Sequence, residues 1–291
     1  MRTEQEMLDL IKKIAEEDER VRAAYMHGSR AQPNAEKDKY SDYDISYVVT
    51  ETGSFINDKE RLNHFGDVTF AIEMYGMQNK FGKRGHDLSR RCAWIMFFAD
   101  GNHIDLIIEI IEEAMNQNHI KNNPVIILLD KDGCLPEMSP YNDNDYFVTK
   151  PDEDEYAACC SGFWWTLSYV SNGIARDQLA YAKEQFNFIK FNLLSRMIEY
   201  YIGVQLNFSV SIGRDRLHRY YKKYLPADIY DLYTKIYSDS DYENFWDAVF
   251  STCELFSKLA CGVGDYFSFA YNKQEEKGMR DYLMKVKSGT L

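Results

Sequence analysis

The hydrophobic periodicity of this chain changes once, near Lys150-Pro151, and that change restricts it to a two-part architecture. Before it, apolar runs of strand length lie at 21–26, 42–49, 68–74, 92–98, 103–110 and 125–129, separated by turn-forming residues. Period-two alternation of this kind marks half-buried strands. A helix is expected over residues 3–18, where Met7, Leu8, Leu10, Ile11, Ile14 and Ala15 recur at helical spacing, and a short one over 112–117. After Pro151 the apolar period becomes 3.6. Tyr156, Cys160, Phe163, Leu167, Val170 and Ile174 form one stripe, and Leu179, Ala182, Phe186, Ile189, Leu193 and Met197 form a second. Leu225-Pro226-Ala227-Asp228 punctuates a further pair of segments, and 242–266 reads as a long aromatic-rich helix. The expected fold is therefore an α/β domain over residues 1–150 followed by an all-α helical bundle over 151–291. The loop at 140–145, rich in Asn, Asp and Pro, joins them.

Composition narrows the function. Lys and Arg total 34 against 46 Asp and Glu, a net charge of −12. A chain that grips a nucleic-acid backbone needs a basic face, so DNA or RNA is a poor substrate for this one. An acidic surface attracts cations. No run of about 18 apolar residues is present, so no membrane-spanning helix is expected. The charged, amphipathic first residues lack the apolar core of a signal peptide, which points to the cytoplasm. Six cysteines without a C-x-x-C pair suit reduced core residues better than a zinc site or a disulfide framework.

The chemistry concentrates between His27 and Val49. Gly28-Ser29 follows a predicted strand, and Asp42 and Asp44 open the next one. Strand side chains alternate faces, so Asp42, Asp44 and Ser46 share one side. Two carboxylates on one face repel each other unless a divalent cation lies between them. Phosphoryl-type transfer often uses two such ions, about 3.5–4 Å apart. Gly28 lets the backbone approach a phosphate, while exposed amides and the Ser29 hydroxyl can hold its oxygens. Arg30 adjoins them and is expected to neutralise triphosphate charge. A third carboxylate should stand on a neighbouring strand. Residues 103–110 alternate cleanly, with Ile104, Leu106, Ile108 and Ile110 facing the core and Asp105 placed mid-strand on the other face. His103 and Glu109 read as a solvated edge of that face. Past Pro151, Asp152 to Glu155 with Trp164 and Trp165 are candidate contacts for a cation, through carboxylates and aromatic faces. Acids at a helix N-terminus also favour the helix dipole, which accounts for at least two of the four.

On Gly28-Ser29, Asp42-x-Asp44 and Asp105 the chain resembles the nucleotidyltransferase superfamily that includes DNA polymerase β and kanamycin nucleotidyltransferase. MRTEQEMLDLI at the start, GSR at 28–30, SDYDISYVVT at 41–50, DGNHIDL at 100–106 and LLDKDG at 128–133 resemble the streptomycin adenylyltransferase family, the aminoglycoside 6-adenylyltransferases. So do the stretches at 159–177 and 211–225. The resemblance implies a polymerase-β-like mixed-sheet domain and Mg²⁺-dependent transfer of AMP from ATP to a hydroxyl of an aminoglycoside. The acceptor would be streptomycin-like and modified at its 6-position, with pyrophosphate released and antibiotic resistance conferred. Asp42 and Asp44 match the metal-binding pair, Asp105 the third acid, and Gly28 and Ser29 the phosphate-holding turn. Arg214 stands where the family has a lysine after a glycine. Asp152, Glu155 and Trp164 are the expected contacts for such an acceptor, and a monomer or weak homodimer is expected. The chain departs from the family at Tyr156-Ala157-Ala158, where further acids are usual, and at Lys190-Phe191, where Arg-Pro is usual. The alternatives are adenylylation of a lincosamide or another small alcohol, and a non-catalytic nucleotide-binding protein.

Overall fold

Six strands form one mixed sheet in the order β3 (Val68–Glu73), β4 (Arg91–Phe98), β5 (His103–Ile110), β2 (Tyr43–Val49), β1 (Val21–His27), β6 (Ile126–Asp130). The computed structural model describes residues 1–33, 35, 37–82, 85–116, 124–137, 147–209 and 217–291. They divide into two compact units, Met1–Asn142 and Asp143–Leu291. The sheet belongs to the first. Its central pair, β2 and β5, runs parallel, with Asp44 opposite Asp105, and the other neighbours are antiparallel.

One face of the sheet carries the main core of this unit. Ile45, Tyr47 and Val49 of β2, Ile104, Leu106 and Ile108 of β5, and Trp94 and Met96 of β4 pack there with Met7, Ile11, Ile14 and Ala15. Those four residues lie on α1 (Glu4–Glu17), whose first turn is fixed by a capping box between Thr3 and Glu6. Two unpaired helix amides are satisfied this way, worth about 1 kcal/mol. Tyr47 crosses the core and donates its hydroxyl proton to the Ile11 carbonyl at 2.6 Å, which satisfies that buried hydroxyl. Phe55, Leu62 and Phe65, from short helical turns at Gly53–Asn57 and Glu60–Phe65, close the same core.

The opposite face is covered only in part. Ala23, Tyr25 and Val48 pack against Ala114 of the short helix Ile111–Asn116. Glu109 lies beneath this cover with no exposed surface, accepting a hydrogen bond from the Tyr25 hydroxyl and pairing with Arg91 at 3.4 Å. Glu109 is therefore not a solvated edge. Alternation assigns it to the polar face, but the helix and β1 seal that end of the face. Burial pushes its carboxyl up, against the opposing pull of Tyr25 and Arg91.

The second unit is helical. α6 (Glu153–Ala175) begins at a capping box between Asp152 and Glu155 and buries the whole expected stripe from Tyr156 to Ile174. α7 (Leu179–Phe188) and α8 (Ser195–Gln205) are joined by a π-helical segment, Ile189–Leu194. A π turn holds one extra residue. The buried face accordingly shifts by one, and Leu194 is fully buried where a regular helix would have buried Leu193. The longest helix, Tyr242–Phe267, runs through the middle of this core and stops at left-handed Ser268. A final helix, Lys273–Ser288, was not apparent from periodicity because Leu283 is its one fully buried residue. All six cysteines are free, four of them buried. No helix of the described residues is long and apolar enough to cross a membrane.

Candidate active site

Three carboxylates meet at the open end of the sheet's second face. The parallel register sets Asp44 beside Asp105, and Asp42 stands one residue before β2 begins. One oxygen from each of Asp42, Asp44 and Asp105 lies within 4.8 Å of the others, and all three side chains are half-buried. Like charges this close, with restricted solvent, oppose one another by a few kcal/mol. The donor set is all oxygen and triply anionic, which fits a hard divalent cation such as Mg²⁺.

The turn after β1 is built against this cluster. His27 pairs with Asp44 across β1 and β2, and Gly28 follows at φ +69°. A Cβ at Gly28 would sit 1.8 Å from Asp44 Oδ2. Only glycine permits this approach and this backbone conformation together. Gly28 and Ser29 open a four-residue helical turn, Gly28–Ala31, whose first amides have no helical acceptor. A phosphate placed there would meet backbone donors beside the Asp44 carboxylate.

On the other side of the cluster, His103 Nε2 lies 2.7 Å from Asp105 Oδ1. This contact raises the imidazole above its ordinary value; burial opposes the shift, and the charges of Asp105, Asp42 and Asp44 reinforce it. His103 is thus part of the acid cluster's surroundings rather than a free solvated edge.

The remaining expected residues are placed as follows. Arg30 is 5 % exposed and turned inward. It donates to the carbonyls of Asp42 at 2.9 Å and Ser41 at 2.8 Å, pairs with Glu4 at 3.1 Å, and lies 4.0 Å over the Tyr43 ring. A guanidinium engaged in this way does not face a phosphate at the turn. It holds the segment carrying Asp42 against α1 instead. Trp164 is 3 % exposed, packed edge-on to Phe163 and Phe256, with its indole N–H donated to Tyr271. It is a core residue and not an acceptor contact; the exposed indole is that of Trp165, at 64 %. Asp152 accepts the Glu155 amide at 2.8 Å and Glu155 accepts the Asp152 amide at 3.2 Å, so both acids cap α6 while remaining exposed. Arg214 falls outside the described residues.

Residues 1–286 match the family described as streptomycin adenylyltransferase. The chain is 32% identical over 278 residues to the aminoglycoside 6-adenylyltransferase of Bacillus subtilis strain 168, covering 95% of each chain. It is 30% identical over 285 residues to the aminoglycoside 6-adenylyltransferase of Staphylococcus aureus, covering 97% of this chain and 99% of that one. A crystal structure of an aminoglycoside 6-adenyltransferase from Bacillus subtilis aligns over 99% of both chains at 28% identity with a TM-score of 0.46.

Proposed function

The chain belongs to the streptomycin adenylyltransferase family, and from that premise we propose that it transfers AMP from ATP to a hydroxyl of an aminoglycoside. The proposed acceptor is streptomycin at its 6-position, with pyrophosphate as the second product and antibiotic resistance as the outcome. The observation that carries this reading is the convergence of Asp42, Asp44 and Asp105 beside the Gly28 turn. The sheet unit is accordingly proposed to be a polymerase-β-like nucleotidyltransferase domain.

The residues divide the work. Gly28 and Ser29 receive the triphosphate through backbone amides and the Ser29 hydroxyl. Asp42 and Asp44 would hold Mg²⁺, and Asp105 would complete the set for a second ion. When bound, the metal supplies Lewis-acid stabilisation of the charge that develops on the α-phosphate and the departing pyrophosphate. The acceptor oxygen attacks the α-phosphorus in line with the bond to the bridging oxygen, which breaks. The hydroxyl proton leaves toward the carboxylate of Asp105, which stands in the same cluster. Asp152 and Glu155, exposed at the start of α6, are proposed carboxylate partners for the acceptor's cationic groups.

The test is pyrophosphate release from ATP and Mg²⁺ with streptomycin, kanamycin, spectinomycin or lincomycin. Streptomycin is expected to give the highest kcat/KM. Asp42→Asn and Asp44→Asn should each lower turnover by about a hundred- to a thousandfold, the range seen when a charge-stabilising group is lost. Near-normal AMP transfer by either variant, with Mg²⁺ still required, would remove these residues from the reaction.

A further inference from the structure

Beyond the acids, the same face of the sheet continues outward as an aromatic shelf. Cross-strand pairs put side chains on one face, and the register pairs Ile95 with Asp105, Phe97 with His103 and Phe70 with Phe97. Phe97 stacks on His103 with ring centroids 4.1 Å apart and planes 14° apart. Phe70 meets Phe97 edge-on at 6.1 Å. Phe70 is 52 % exposed and Phe97 44 %, whereas Met96 and Phe98, the strand neighbours of Phe97 on the other face, are buried. The His103 contact with Asp105 joins the shelf to the carboxylates without a gap.

We infer that Phe70, Phe97 and His103 form the platform on which a ring of the cationic acceptor lies during adenylyl transfer. The inference rests on the adenylyl-transfer reading above and adds the direction from which the acceptor arrives. Across the sheet the sequence of features is turn, acids, shelf: Gly28-Ser29 ends β1, the acids stand on β2 and β5, and the shelf occupies β5, β4 and β3. In-line displacement sets the nucleophile and the leaving group on opposite sides of the phosphorus. Pyrophosphate leaves on the Gly28-Ser29 side, so the attacking hydroxyl comes from the side of β5, β4 and β3. A molecule approaching there meets exposed ring faces. These suit the apolar faces of sugar and cyclitol rings and attract ammonium and guanidinium groups by their quadrupoles. A cross-strand Phe pair alone stabilises a sheet by at most about 1 kcal/mol, and leaves unexplained why the pair is continuous with the acids.

The experiment compares the wild-type chain with the double variant Phe70→Leu/Phe97→Leu and with Phe97→Tyr, measuring KM for streptomycin and for ATP separately by pyrophosphate release. The double variant should raise the streptomycin KM about five- to tenfold and leave the ATP KM within about twofold, and Phe97→Tyr should remain near wild type. Both rings are exposed, so Tm should change little. If the double variant does lose its fold, Phe70→Leu alone, farther from the acids, carries the same comparison with a smaller rise. An unchanged streptomycin KM overturns the inference, and so does a rise confined to ATP, which would assign the shelf to the nucleobase. A wild-type chain that releases pyrophosphate with no aminoglycoside would instead overturn the functional reading, before any variant is made.

Discussion

A methyl group at position 28 has no space. It would meet the Asp44 carboxylate at 1.8 Å on a backbone already at φ +69°. The left-handed conformation costs a non-glycine residue roughly 1–2 kcal/mol, and relieving the collision must move either the turn or the acid. A displacement of about 1 Å at a reacting centre can cost a hundredfold in rate. Gly28→Ala is therefore expected to lower kcat for AMP transfer at least about a hundredfold while Tm falls by only a few degrees. Turnover near wild type would show that the contact between turn and acid does not matter. The faces of Asp44 and Asp105 could be read from the chain because strand alternation fixes them, and Asp42 and Gly28 could be placed because each directly adjoins a strand end. Arg30 could not be read correctly. Its partners are the carbonyls of Ser41 and Asp42, brought to it by a loop whose path no periodicity encodes. The indoles failed for a different reason. Trp164 and Trp165 are adjacent on one helix, and only the positions of Phe256 and Tyr271 decide which of them enters the core.

The β4–β5 hairpin delivers Asp105, and its turn is tied to the start of the chain. Gly101 has φ +84°, and the Asp100 carboxylate accepts the Asn102 amide at 3.0 Å. Arg2 donates to the same carboxylate at 2.7 Å and reaches the Phe65 carbonyl, while Asn102 donates to the Arg2 carbonyl at 3.3 Å. The stretch DGN, which carried part of the family resemblance, thus acts as a clamp. Burial would raise the Asp100 carboxyl, but the Arg2 guanidinium and the Asn102 and Arg2 amides outweigh it and hold the group well below the ordinary 3.8. A depressed carboxyl contributes stability that is present above its unfolded value and lost as pH falls toward its folded value. The ion pair is about a quarter exposed, so solvent screening limits it to about 1 kcal/mol. Asp100→Asn should lower Tm at pH 7, and the difference from wild type should shrink steadily as pH falls below 3.8. A gap in Tm that is constant from pH 7 to pH 3 would mean that the clamp works by shape and not by charge. At this scale the six strands were legible because alternation and turn residues bound them. The π segment at Ile189–Leu194 was not, since one inserted residue leaves the apolar composition of the stripe unchanged and moves only its phase.

The molecule as a whole carries a net charge of −12, and its two proposed substrates have opposite signs. A cationic acceptor is drawn toward such a surface and ATP is repelled by it, and on the proposed reading the backbone amides of the Gly28 turn and a bound metal would offset that repulsion locally. Inward-turned Arg30 fits that arrangement, since it strengthens the scaffold without presenting its charge to the triphosphate. Long-range attraction of the acceptor depends on ionic strength, because the screening length falls from about 10 Å at 0.1 M to about 3 Å at 1 M. Raising KCl from about 0.05 M to about 0.5 M should therefore raise the streptomycin KM several-fold, leave the ATP KM flat or lower it, and change kcat little. The opposite signs of the two responses are the discriminating feature. A salt effect that weakens both substrates equally would indicate a change in the protein or in metal binding. A flat streptomycin KM would confine acceptor recognition to short-range contacts, leaving the acidic surface without a part in it.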